Sequence, residues 1–120
     1  MKQLPVKVLI VDDDDDLLFL LKHQLTGLGY KVELCRDGID CLEKMLLHQP
    51  NVVLLDITMN GISGEDLCHQ IKADHRFHNI KVLLMSGNHD IKRIAQTCHA
   101  DGYIPKPVDL SMITSRIGRG

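Results

Sequence analysis

The sequence predicts an α/β fold: a doubly wound, five-stranded parallel sheet with five helices. Three observations carry that expectation. Short apolar runs alternate five times with segments of helical periodicity. The second and fifth runs carry the marks of edge strands, a charged alternation and a proline. No linker, low-complexity run or composition shift interrupts the 120 residues, which suit one domain.

The elements follow in order. Residues 6–11 form an apolar run broken only by Lys7, as expected of a strand buried on both faces. Residues 14–28 place Leu17, Leu21, Leu25 and Leu28 at helical spacing, and Gly29 ends that helix. Val32 and Leu34 alternate with Lys31 and Glu33 in a more exposed strand. Residues 37–49 read as a helix with Ile39, Leu42 and Leu46 inward, stopped by Pro50. Residues 52–55 are wholly apolar and end at Asp56. After a loop holding Gly61 and Gly64, residues 65–75 form a helix through Leu67, Cys68 and Ile71. Residues 81–85 are the fourth strand, ending at Ser86-Gly87. Ile91, Ile94, Ala95 and Cys98 mark the fourth helix. Tyr103-Ile104-Pro105 is a short last strand, and Asp109 caps a final helix with Leu110, Ile113 and Ile117 inward and Gly118 at its end. With the second and fifth strands outermost, the sheet takes the flavodoxin-like order 2-1-3-4-5.

Composition excludes several classes of function. The net charge of −2 offers no basic field for nucleic acid, and Phe19, Phe77, Tyr30 and Tyr103 make no stacking platform. Cys35, Cys41, Cys68 and Cys98 match neither a zinc motif nor a redox C-x-x-C, and read as reduced core thiols. His75 and His78 lack a second ligand pair nearby in sequence. The start of the chain has no signal-peptide pattern and no apolar run reaches membrane-spanning length, so a cytoplasmic setting is expected.

In such a sheet ligands bind beyond the carboxyl ends of the strands, where strand order reverses. The first strand ends in Asp12-Asp13, the third in Asp56 and the fourth in Ser86, and Lys106 follows the fifth. The first and third strands are neighbours about 4.8 Å apart. Their carboxylates therefore raise one another's pKa unless a cation intervenes, and Mg²⁺ suits the site because it also accepts phosphoryl oxygens. A Ca²⁺ loop is disfavoured, since the EF-hand pattern is missing after Asp12. Asp14, Asp15 and Asp16 read as a solvated helix start. A carboxylate nucleophile at Asp56 gives an acyl phosphate. Ser86 on the adjacent strand reaches it with a short hydroxyl, whereas Lys106, two strands away, needs its long side chain.

These residues together resemble the receiver domain of two-component response regulators. The likeness is carried by Val8-Leu9-Ile10-Val11-Asp12-Asp13-Asp14, Val53-Leu54-Leu55-Asp56-Ile57-Thr58-Met59, Leu84-Met85-Ser86-Gly87 and Ala100-Asp101-Gly102-Tyr103 through Lys106-Pro107. It implies an acid pair for Mg²⁺ at Asp12 and Asp13, a phosphoacceptor at Asp56 and a backbone carbonyl ligand at Thr58. It also implies a switch pair of Ser86 and Tyr103, the family's lysine at Lys106, and a cis Lys106-Pro107 bond. The implied donor is a phosphohistidine on a sensor histidine kinase or a histidine phosphotransfer protein, in a bacterial cytoplasm. Phosphorylation would change the surface of the fourth helix, fifth strand and fifth helix, read by an output domain, an effector protein or a second copy. Thr58 and Asn88, each two residues past a site residue, would tune hydrolysis. Asn60 departs from the family's frequent proline before Gly61, and the last helix ends early at Gly118, as in a domain cut from a longer protein.

Two rivals are weighed against this reading. An aspartyl-phosphate phosphatase of the haloacid-dehalogenase type needs a second acid two residues after the nucleophile, and Thr58 stands there. A pseudo-receiver, a binding module that is never phosphorylated, usually lacks an acid, the acceptor or the lysine, and all are present. The expected protein is thus no turnover enzyme; it promotes only its own phosphorylation and dephosphorylation.

Overall fold

The computed structural model describes residues 4–59 and 61–118. Asn60, singled out above for its departure from proline, lies outside the described residues, as do Met1, Lys2 and Gln3. Five strands, β1 (Lys7–Val11), β2 (Lys31–Cys35), β3 (Val52–Asp56), β4 (Lys81–Ser86) and β5 (Gly102–Pro105), alternate with α1 (Asp15–Gly27), α2 (Cys41–His48), α3 (Gly64–Ala73), α4 (Ile91–Thr97) and α5 (Leu110–Ile117). All pairings are parallel, in the order β2-β1-β3-β4-β5. The doubly wound arrangement and both edge strands are therefore as expected.

The pleat of the central strands sorts their side chains into two cores. Leu9, Val11, Val53, Leu55, Val82 and Leu84 face α2, α3 and α4. Val8, Ile10, Val52, Leu54, Leu83 and Met85 face α1 and α5. Because both faces are covered, β1, β3 and β4 are buried along nearly their whole length, which is why their sequence shows no alternation. Among the described residues no helix is long and apolar enough to cross a membrane.

Three helices differ from the sequence reading. The second begins at Cys41 rather than residue 37, because the Asp37 side chain accepts hydrogen bonds from the Ile39 and Asp40 N–H groups and holds a turn there. Gly38 packs against Ile62 so closely that a Cβ would overlap it, which fixes this turn against the next loop. The inward face is consequently Cys41 and Met45, with Leu42 half-buried, while Ile39 is 74% and Leu46 48% exposed. In α1 the buried face is Leu18, Leu21 and Leu25; Leu17 is partly buried, and Leu28 lies beyond the last helical turn, 57% exposed. The third helix ends at Ala73, where Asp74 starts a short 3₁₀ turn over His75–Phe77 that puts Phe77 into the core. α5 keeps Ile113 and Ile117 buried and Leu110 partly so.

Candidate functional site

Each site residue is delivered by the end of a strand. The register pairs Val11 with Leu55, so Asp12 and Asp56 leave adjacent strands side by side. The Asp12 N–H donates to the Cys35 carbonyl at 3.0 Å, which extends the β1–β2 ladder by one rung and pins the aspartate. Its side chain is held in turn: Oδ1 accepts the Asp14 N–H at 3.0 Å. The Asp14 carboxylate then caps α1, accepting from the Asp16 and Leu17 N–H groups. The acidic run is thus divided between a buried site residue and a helix cap.

Asp12 is fully buried, Asp56 is 5% exposed and Asp13 faces solvent. One carboxylate oxygen from each lies within 4.8 Å of the others. That cluster of hard oxygen donors, open on the Asp13 side, fits a hard divalent cation. Lys106 lies across the same two buried acids. Its Nζ is 2.9 Å from Asp12 Oδ2 and 3.2 Å from Asp56 Oδ1. The reach inferred for this lysine is therefore real, but it touches Asp12 as well as Asp56, which strand spacing alone did not indicate.

Electrostatics follow from that crowding. Burial, and then the Asp12 charge, push the Asp56 carboxyl above its ordinary value, and Lys106 and the Thr58 N–H offset this only in part. Burial works against the Lys106 ammonium, but its hydrogen bond to Asp12 and the charges of both aspartates outweigh it and raise its pKa. The surroundings thus favour the charge on the lysine and disfavour the charge on Asp56.

Ser86 is 6% exposed at the end of β4, and its Oγ accepts the Asn88 N–H at 3.0 Å. The Asn88 side chain accepts from the Asp90 N–H, so the exposed asparagine braces the loop into α4. Lys106 N–H donates to the Ser86 carbonyl at 2.9 Å, which ties the lysine's backbone to the serine's strand. The Lys106–Pro107 peptide is cis. Tyr103 pairs in register with Leu84 and is half-buried beside the α4 face of the core. Thr58 is exposed on the loop after Asp56. Seven of the eight residues named from sequence, Asp12, Asp13, Asp56, Thr58, Ser86, Asn88 and Lys106, come from the carboxyl ends of β1, β3, β4 and β5 or the turns that follow, while Tyr103 lies within β5.

Sequence reasoning missed Gly64. It follows Ser63, whose Oγ caps α3 by accepting the Asp66 N–H. Gly64 N–H donates to the Ile57 carbonyl at 2.8 Å, and a Cβ at this position would overlap the Asp56 carbonyl oxygen. Only glycine lets α3 start this close to the aspartate's backbone. A glycine in a loop is visible in sequence; which atom it must not touch is not.

These features define a class: an α/β domain whose acidic centre lies where strand order reverses. The chain belongs to the response regulator receiver domain family, whose sequence profile matches residues 8–118. Response regulator MprA of Mycobacterium sp. (strain KMS) is 31% identical over 116 residues, covering 95% of this chain and 50% of that protein. The chain spans about half the length of the curated MprA relatives it matches. Among solved structures, response regulator DrrB, a Thermotoga maritima OmpR/PhoB homologue, is 26% identical with a TM-score of 0.82, over 97% of this chain and 52% of that one. Chemotaxis response regulator CheY4 of Vibrio cholerae gives a TM-score of 0.87 at 23% identity, over 96% of this chain and all of that one, a likeness of fold.

Proposed function

We propose that this receiver domain takes a phosphoryl group onto Asp56 from a phosphohistidine of a sensor histidine kinase or a phosphotransfer protein. The observation that carries the reading is Asp56 itself: a nearly buried carboxylate, beside two further acids and 3.2 Å from a lysine. A carboxylate oxygen forms the new P–O bond as the P–N bond of the phosphohistidine, protonated on its other ring nitrogen, breaks, and the neutral imidazole leaves with that proton. Mg²⁺ held by Asp12, Asp13, Asp56 and the Thr58 carbonyl would offset charge on the transferring phosphoryl oxygens. Lys106 supplies a fixed cation on the other side of the acceptor and keeps Asp12 and Asp56 from repelling each other.

The same rim supports a switch. Ser86 Oγ has a single backbone donor, Asn88, and its own proton is available to a phosphoryl oxygen at Asp56. Movement of Ser86 toward the phosphate opens space beside Tyr103, whose strand pairs with that of Ser86, and the α4–β5–α5 surface changes. An output region or effector protein would read that surface, or a second copy in a phosphorylation-dependent dimer. The MprA relatives, about twice as long as this chain, support a receiver joined to such a region in a longer protein. Thr58 and Asn88, both exposed at the rim, would flank the water that hydrolyses the acyl phosphate. On this reading the domain is no turnover enzyme and works in the cytoplasm.

Incubation with acetyl phosphate and Mg²⁺, followed by intact mass, tests the proposal. The expected result is a gain of one phosphoryl group that requires Mg²⁺ and disappears in Asp56→Asn. No gain would leave a binding module that is never phosphorylated.

A further inference from the structure

Two Cys-His dipeptides, Cys68-His69 and Cys98-His99, meet where α3 packs against the end of α4. The cysteines point inward and are buried, and the Cys68 thiol donates to the Cys98 carbonyl at 3.5 Å. The histidines point outward. Their rings stack with centroids 5.8 Å apart and planes 11° from parallel. Both are exposed, and neither ring is hydrogen-bonded among the described residues. His99 also sits at φ +64°, a left-handed conformation in which glycine would be unstrained. The turn from α4 into β5 thus holds a strained histidine whose ring lies against an imidazole of another helix.

We infer that His69 and His99 form a two-imidazole site for a divalent transition ion of the zinc class, which clamps the α4–β5 turn to α3. The spacing is close to what one ion needs. With a metal–nitrogen bond of about 2.0–2.1 Å and about 1.1 Å from nitrogen to ring centre, two imidazoles on one tetrahedral ion have centroids about 5.2 Å apart. The observed 5.8 Å is wider than that by about 0.6 Å, a gap that small side-chain torsions of two exposed residues close. Rotation of each ring about its soft terminal torsion turns a nitrogen edge toward the other, and exposure leaves room for it. Imidazole prefers zinc-class ions over Mg²⁺, so the site is chemically distinct from the carboxylate cluster and shares no residue with it.

The surroundings permit a cation. The nearest charged pair along both elements, Lys72 and Asp101, is closed on itself at 2.8 Å, so the ammonium is already neutralised. The Cys68 thiol beneath does not compete for the ion. Burial pushes the Cys68 thiol well above its ordinary pKa, and metals bind the thiolate. Water completes the coordination.

Zinc chloride is titrated into the full chain with Mg²⁺ in excess, so that the carboxylate cluster is already supplied. Thermal midpoint, calorimetric stoichiometry and imidazole NMR signals are followed. Wild type should bind one equivalent, rise in thermal midpoint and shift the His69 and His99 ring signals. His69→Gln and His99→Gly should each weaken binding at least about tenfold, since even an outer-shell partner is worth about 10–100-fold. His99→Gly relaxes the positive φ, so it folds without zinc at least as well as wild type and separates ligand loss from misfolding. A zinc response that persists in either variant, or ring signals that do not move in wild type, overturns the inference.

Discussion

Removal of the Lys106 charge tests the electrostatic frame of the site most severely. In Lys106→Met the aliphatic stem stays and the ammonium goes. At an effective dielectric constant of about 20, charges separated by 2.9 and 3.2 Å attract by about 5–6 kcal/mol each before desolvation is counted. Desolvation of the lysine returns much of that. Removing one partner from a buried ion pair typically costs about 3–5 kcal/mol, because the other charge is stranded. Here two carboxylates are stranded, but the lysine side chain keeps 29% exposure, so water replaces part of it. We expect Lys106→Met to lose about 2–4 kcal/mol in urea unfolding at neutral pH with Mg²⁺ chelated. Saturating Mg²⁺ should shrink the loss, since a second cation then serves the same acids. A loss below about 0.5 kcal/mol in the chelated protein, or a loss unchanged by Mg²⁺, would show that the buried acids are not held together by this lysine.

Other predictions bear on the acceptor, the core and the rim. Asp56 has a raised folded-state pKa, so its charge costs stability above that pKa, and the cost is relieved as pH falls from there toward the ordinary 3.8. With Mg²⁺ chelated, Asp56→Asn should therefore be more stable than wild type at pH 7, and the difference should vanish near pH 4 in parallel thermal melts. Met45→Ala should cost about 2–5 kcal/mol and Ile39→Ala about 0.5 kcal/mol or less, read from denaturant midpoints, because only Met45 faces the core. Exchanging Thr58 and Asn88 together for larger side chains should change the decay rate of the phosphorylated protein. An unchanged rate would remove both from the hydrolysis role.

The parts of the fold legible in sequence were those with one dominant signal. Buried parallel strands show as unbroken apolar runs, and Pro105 marked the far edge. The α2 register was misread because Ile39, Leu42 and Leu46 also make a helical stripe, and the Asp37 turn that delays the helix depends on a side chain meeting its own backbone. The site was legible as a set of strand ends. Its internal contacts were not: the Lys106–Asp12 bond, the Lys106–Ser86 backbone link and the close approach of Gly64 to Asp56 all join residues distant in sequence or packed with no visible signature. The His69–His99 stack belongs to the same kind, since thirty positions separate two otherwise ordinary histidines.

The central claim is that the acceptor is Asp56 and no other acid of the cluster. Borohydride reduces an acyl phosphate of aspartate to homoserine, which marks the residue that carried it. After treatment with acetyl phosphate and Mg²⁺, reduction and peptide mass mapping should place homoserine at position 56 alone. Homoserine at position 12 or 13, or unaltered aspartate at all three positions, would contradict it.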